Sequence, residues 1–165
     1  MTFAFRIVLN YRRDDSPGHA GRLYEALALR FGAEHVFTGI DNLEPGVDFL
    51  QVIEVAIDSC DAFLALIGPR WLDTSDAQGR RRLEYPDDFV RLEIEAALGR
   101  NVRVIPVLLQ DAKMPRSEEL PRSLAPLTQL DAHDLSDGSW PSDVGRLIQT
   151  LEGQAGARSL HRHRP

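Results

Sequence analysis

Asp61-Ala62-Phe63-Leu64-Ala65-Leu66-Ile67-Gly68-Pro69 is the stretch whose reading decides the fold. The apolar residues from Ala62 to Ile67 run without interruption between a carboxylate and a Gly-Pro stop. A strand with one wet face alternates polar and apolar side chains. A continuous apolar run of this length is the signature of a strand covered on both faces. It is also far too short for a bilayer, which takes about 20 apolar residues.

Toward the N-terminus, Phe5 to Leu9 reads as a second buried strand, running into the charged loop Asn10-Tyr11-Arg12-Arg13-Asp14-Asp15. Ser16-Pro17 is a helix start, with serine as cap and proline at the first position. Ala20, Leu23, Tyr24, Leu27 and Phe31 keep helical spacing, and Gly32 ends that helix. His35 to Phe37 is a minimal strand, and Thr38 to Val47 a long loop containing Gly39, Asp41, Pro45 and Gly46. Asp48 then caps a helix that turns Phe49, Val52, Ile53, Ala56 and Ile57 to one side.

Toward the C-terminus, Asp73 to Glu84 is polar and reads as a mobile loop. Pro86 to Arg100 reads as a short helix, with Asp87 capping and Gly99 stopping it. Val102 to Leu109 is another buried strand, and Pro106 within it predicts an edge or a bulge, because proline removes a ladder donor. Asp111 to Pro126 is irregular, Leu127 to Leu130 is a weak last strand, and Pro141 to Leu151 is a closing helix. Gln154 to Pro165 loses periodicity and turns basic, so it reads as a tail or linker after a domain spanning residues 1–153. The alternation of strands and helices predicts an α/β chain: a five-stranded parallel sheet of order 2-1-3-4-5, with right-handed crossovers and helices on both faces. That is a flavodoxin-like three-layer sandwich.

In such a sheet, ligands bind beyond the carboxyl ends of the strands, where the order reverses between strands 1 and 3. The loops there are Tyr11 to Asp15 and Gly68 to Leu72, and the Pro86–Arg100 helix follows strand 3. At roughly 100° per residue, Leu92, Ala96, Phe89, Ala97, Val90 and Ile94 form one apolar arc, with Glu93 in its middle and Arg91 and Glu95 opposite. A carboxylate aimed where the apolar face points is costly unless it is paired, solvated by a cleft, or used. Either Glu93 serves a site, or the apolar face runs out under a loop and the wheel misleads.

Composition narrows the function. A chain of 165 residues, 43% hydrophobic, suits one globular domain. A net charge of −6 argues against broad nucleic-acid or anionic-membrane binding. The single cysteine, Cys60, excludes an internal disulfide and fits a reducing, cytoplasmic setting. No signal peptide is apparent at the start. No Gly-x-Gly-x-x-Gly or P-loop lysine motif is present, so those phosphate cradles are absent, as is a Gly-x-Ser-x-Gly elbow. Asp14 and Asp15 suggest a phospho-receiver, but Gly68-Pro69 stands where its strand-3 aspartate belongs. His161-x-His163 lies in the tail and reads as solvated, so no metal site is expected. Arg80, Arg81 and Arg82 read as an exposed run.

A lone inward carboxylate suits one reaction class. Ordinary glycosidases use two carboxyls, one to protonate the leaving oxygen. Nicotinamide departs from NAD+ as a neutral base from a cationic pyridinium, so no acid is needed. What remains is to steady the ribosyl oxocarbenium and hold the ribose hydroxyls. Arginines would hold the pyrophosphate, and an aromatic ring would stack on a base.

Ile7-Val8-Leu9-Asn10-Tyr11-Arg12-Arg13-Asp14-Asp15-Ser16 resembles the first box of bacterial TIR (Toll/interleukin-1 receptor) domains, and Thr38-Gly39-Ile40-Asp41-Asn42-Leu43-Glu44-Pro45-Gly46 resembles their second, the BB loop. Cys60-Asp61 leading to Gly68-Pro69-Arg70-Trp71-Leu72, then Asp88-Phe89-Val90-Arg91-Leu92-Glu93-Ile94, resembles the remainder. The likeness covers about Phe5 to Leu151. It implies a flavodoxin-like fold and NAD+ glycohydrolase or cyclase activity, with NAD+ as substrate and no cofactor. It puts Glu93 at the catalytic position and Arg12, Arg13, Asp41, Trp71 and Phe89 around the nucleotide. It further implies self-association through the BB loop, Thr38–Val47, a role in prokaryotic immune signalling, and a fused or partner sensor or effector domain. Asn10 replaces the usual serine, and Phe89 stands where many active members carry tryptophan. The competing class is a non-enzymatic TIR adaptor that works by docking alone.

Overall fold

The computed structural model describes residues 5–38, 46, 48–100 and 102–161. The five strands are β1 (Ile7–Asn10), β2 (Val36–Thr38), β3 (Ala62–Ile67), β4 (Arg103–Leu109) and β5 (His133–Leu135), and the four α-helices are α1 (Pro17–Phe31), α2 (Phe49–Asp58), α3 (Phe89–Leu98) and α4 (Trp140–His161). The sheet has the order β2-β1-β3-β4-β5, and every pairing is parallel. This is the flavodoxin-like arrangement that the sequence predicts.

Strand pleating divides the core. Ile7 and Leu9, Ala62, Leu64 and Leu66, and Ile105, Val107 and Leu109 face α1 and α4, where Leu23, Leu27, Leu147 and Leu151 cover them. Val8, Phe63, Ala65 and Ile67, with Val104 and Leu108, face α2 and α3 and meet Ile53, Ile57, Val90, Ile94 and Ala97. All six residues of β3 are buried because a helix layer lies on each side. Fully burying each large aliphatic side chain is worth about 1.5–3 kcal/mol, so this run anchors both layers.

Four details differ from the sequence reading. The last strand is His133–Leu135, while Leu127–Leu130 belongs to the 3₁₀ stretch Arg122–Gln129 and its cap. There Leu124 and Leu127 are both buried, at the three-residue spacing that a 3₁₀ turn repeats. Asp88, not Asp87, caps α3. The closing helix continues past Leu151 to His161: Gln154 Nε2 donates to the Asp61 carbonyl at 2.7 Å, and Ala155 packs on the core. The start of the expected tail is thus part of the body. The stretch Asp73–Glu84 is braced by a Ser75–Arg81 antiparallel bridge and by Asp76, which accepts from the Gln78 and Arg80 amides and from the Tyr85 hydroxyl.

Pro106 keeps its edge character on one flank of an internal strand. It is in register with Ala65 of β3, but β5 joins β4 only from Val107.

Candidate active site

Glu93 sits on α3 with Val90, Ile94 and Ala97, the buried side of the helix, and is 7% exposed. The inward carboxylate of the helical wheel is therefore real. Arg91 and Glu95 pair with each other at 2.6 Å, away from it.

Asn10 ends β1, two residues after Val8 and so on the same sheet face. Its Nδ2 donates to the Val90 carbonyl at 3.3 Å and reaches Glu93 Oε1 at 3.5 Å. Both partners only accept, so the amide nitrogen must face α3. Asn10 is fully buried, and its Oδ1 has no hydrogen-bond partner among the described residues.

Arg12 fixes the start of the same helix. Its guanidinium holds Asp88 in bidentate fashion, Nη1 to Oδ1 at 3.0 Å and Nη2 to Oδ2 at 2.7 Å. Asp88 in turn accepts from the Arg91 amide at 3.1 Å, closing the first turn of α3. The pair is nearly dry, with side chains 3% and 10% exposed.

Asp15 ties two loops together at this edge of the sheet. Its carboxylate accepts from the Gly68 amide at 2.8 Å and the Arg70 amide at 2.7 Å, binding the loop after β1 to the loop after β3. A Cβ at position 68 would stand 2.5 Å from Asp15 Oδ2, so this contact requires glycine.

The remaining expected residues divide. Phe89 is 44% exposed at the start of α3, edge-on to Phe49 with ring centroids 5.1 Å apart. Arg13 lies exposed in the loop after β1. Trp71 is fully buried with Leu83 and Val90 and offers no free face for stacking, so packing is the role its position shows. Both Nη groups of Arg12 are engaged by Asp88. Asp41 and most of the Thr38–Val47 loop lie outside the described residues.

Sequence reasoning missed Asn10, Asp15 and Asp88 as builders of this site. The period of two along β1 would have placed Asn10 on the α3 face. Nothing local marks the partners of Asp15, which lie 53 and 55 residues away. Among the described residues, no group of three or more His, Cys, Asp or Glu could hold a metal ion, and no helix is long and apolar enough to cross a membrane.

The architecture defines a flavodoxin-like α/β domain with a buried glutamate, Glu93, beside the end of β1, at the point where the strand order reverses. The family model of the TIR domain matches residues 7–148, and the chain belongs to that family. No curated protein matches it as a relative. Among solved structures it is similar to the TIR domains of the activated Roq1 resistosome recognising the pathogen effector XopQ, with TM-score 0.64, 13% identity, and coverage of 89% of this chain and 99% of that one. It is also similar to a metazoan TIR-STING receptor from C. gigas, at TM-score 0.55 and 20% identity, covering 89% of this chain and 40% of the receptor. A second structure of that receptor, in complex with 2',3'-cGAMP, matches at TM-score 0.54 and 19% identity, over 86% of this chain and 38% of the receptor. At these identities the likeness is one of fold.

Proposed function

We infer that this TIR domain cleaves NAD+ at the nicotinamide–ribose bond. The observation that carries the reading is the position of Glu93: 7% exposed, held by Asn10, at the switch point of the sheet. The C–N bond breaks with its electron pair going to nicotinamide, and the ribosyl carbon becomes an oxocarbenium ion. The Glu93 carboxylate faces that developing charge in a low-dielectric setting, where a fixed anion acts most strongly. Water then attacks, a proton is released, and ADP-ribose forms. Attack by the adenine ring of the same molecule gives a cyclic isomer instead. Arg13 and Phe89 are exposed groups suited to phosphate and base, and Asp41 belongs to the loop by which one TIR domain would close on the next. Docking of TIR domains through Thr38–Val47 would complete the site, which fits a cytoplasmic switch in prokaryotic antiphage signalling, with a sensor or effector domain fused or recruited.

A docking-only adaptor is the second reading. The burial of Trp71 and the engagement of Arg12 by Asp88 favour it, since two expected nucleotide contacts serve the fold instead. Concentrated or crowded protein incubated with NAD+, with products separated by chromatography, decides between the two. The expected result is nicotinamide release by wild type and none by Glu93→Gln at unchanged fold. Intact NAD+ with assembled wild type overturns the enzyme reading, and equal rates for Glu93→Gln overturn the assignment of Glu93.

A further inference from the structure

We propose that Asn10 is a positioning residue for the Glu93 carboxylate, an assignment that rests on the NAD+-cleaving reading above. The two amide protons of Asn10 go to one helix: one to the Val90 carbonyl at 3.3 Å, the other toward Glu93 Oε1 at 3.5 Å. Val90 and Glu93 are three residues apart on α3, so a single side chain grips the turn that carries the carboxylate and the carboxylate itself. The bond to Val90 fixes where the amide stands, and the second proton then selects the Glu93 rotamer. The 3.5 Å contact is long for a hydrogen bond, and catalytic contacts of this kind tighten in the substrate complex.

Apart from the bond to the Val90 carbonyl, the fold gives no reason for an amide here. Position 10 is the last residue of β1, in register with Ala65 of β3, on a sheet face otherwise apolar at Val8, Phe63 and Ile67. Asn10 is fully buried, and its Oδ1 receives no hydrogen bond from any described residue. A buried acceptor left unsatisfied weakens a fold, and an aliphatic side chain of similar size would remove that penalty. Local choices that work against stability mark functional positions. The neutral amide also suits the task. It orients the carboxylate without cancelling the negative charge that the ribosyl cation needs, as an arginine in its place would.

This reasoning separates function from stability. Asn10→Leu relieves the unsatisfied Oδ1 but takes a donor from the Val90 carbonyl and Glu93, so its melting temperature and urea midpoint are expected close to wild type. Its kcat for NAD+ cleavage is expected to fall roughly 100-fold, the scale of a misplaced catalytic group, with KM changed less than about threefold, because the lost interaction acts in the transition state. Asn10→Ser keeps a hydroxyl donor, and we expect it to regain about tenfold or more of that loss. Wild-type kcat in folded Asn10→Leu overturns the proposal. So does a loss of activity that tracks a lowered melting temperature, because that is the behaviour of a structural residue. Wild type that leaves NAD+ intact while folded and assembled fails the enzyme reading and takes this assignment with it. Active wild type, inactive Glu93→Gln and fully active Asn10→Leu would sink this assignment alone.

Discussion

Replacing Asp88 with alanine removes one interaction and strands another group. The cap on the Arg91 amide disappears, which is worth about 1 kcal/mol. The Arg12 guanidinium loses both carboxylate bonds while its side chain remains 3% exposed. Deleting one partner of a buried ion pair costs about 3–5 kcal/mol, because the other charge stays desolvated. The two effects share one carboxylate, so about 4–5 kcal/mol is the expected total. For a chain of this length a loss of 1 kcal/mol lowers Tm by about 2–4 °C, which places the fall at roughly 8–20 °C.

Urea unfolding followed by circular dichroism gives this number directly. The Arg12→Met, Asp88→Ser double variant is the control. Serine keeps a cap, methionine keeps the apolar stem, and no charge is stranded, so the double variant is expected to lose only about 1–2 kcal/mol. The amount by which the double variant is more stable, beyond the cap that serine keeps, is the cost of the stranded guanidinium. If Asp88→Ala costs no more than the cap alone, about 1 kcal/mol, the guanidinium is not bound to this role, and Arg12 returns to the nucleotide contacts implied by the family resemblance.

Gly68→Ala places a Cβ 2.5 Å from Asp15 Oδ2, and the carboxylate can retreat only by releasing the Gly68 and Arg70 amides. The expected loss is about 1.5–3 kcal/mol, with faster hydrogen exchange at the Arg70 amide, and unchanged exchange there would refute the bracket. His133 lies beside a cavity of about 360 Å3 with Arg103, Asp131 and Thr150, and burial first, then Arg103 and Arg146, pushes its pKa below the usual 6.5. A histidine depressed in the folded state binds fewer protons there than in the unfolded chain, so stability is full above pH 6.5 and declines as the pH falls toward the folded value. His133→Gln should flatten that decline in pH-dependent urea midpoints, and identical slopes for both proteins would refute the assignment.

The parts of this molecule legible in the sequence are those written locally. The Ala62–Ile67 run, the Asp48 cap, the Ser16-Pro17 start and the inward Glu93 each follow from spacing within one element, and strand order then follows from alternation. The last strand was illegible because only Leu135 of His133–Leu135 is buried. Gly153 and Gly156 disguise the continuation of α4, whose helical form there is supported by the bond from Gln154 to Asp61. Arg12 and Trp71 show a different limit. Their residue types suit phosphate and base, and suit equally a buried ion pair and a core ring. What decides is the setting: Arg12 meets Asp88, 76 residues away, and Trp71 is fully buried in the core on the α2 and α3 side of the sheet.

The disposition of charge around α3 explains why Arg12 serves the fold. On the NAD+-cleaving reading, the Glu93 carboxylate loses its effect if a guanidinium neutralises it, yet the helix carrying it must be held firmly. The chain separates the two requirements. The Arg12 cation is placed on Asp88, at the helix start, where its two bonds fix α3. The neutral amide of Asn10 reaches Glu93 Oε1 at 3.5 Å and brings no charge of its own. Exchanging the two roles is therefore predicted to be asymmetric. On the NAD+-cleaving reading, Asn10→Arg should silence the cleavage even where the chain folds, because a cation would sit on Glu93. Losing the Arg12–Asp88 pair should lower stability first and activity only as the helix loosens. Parallel losses of rate and stability in both variants would show that α3 and its carboxylate are not held by separate means.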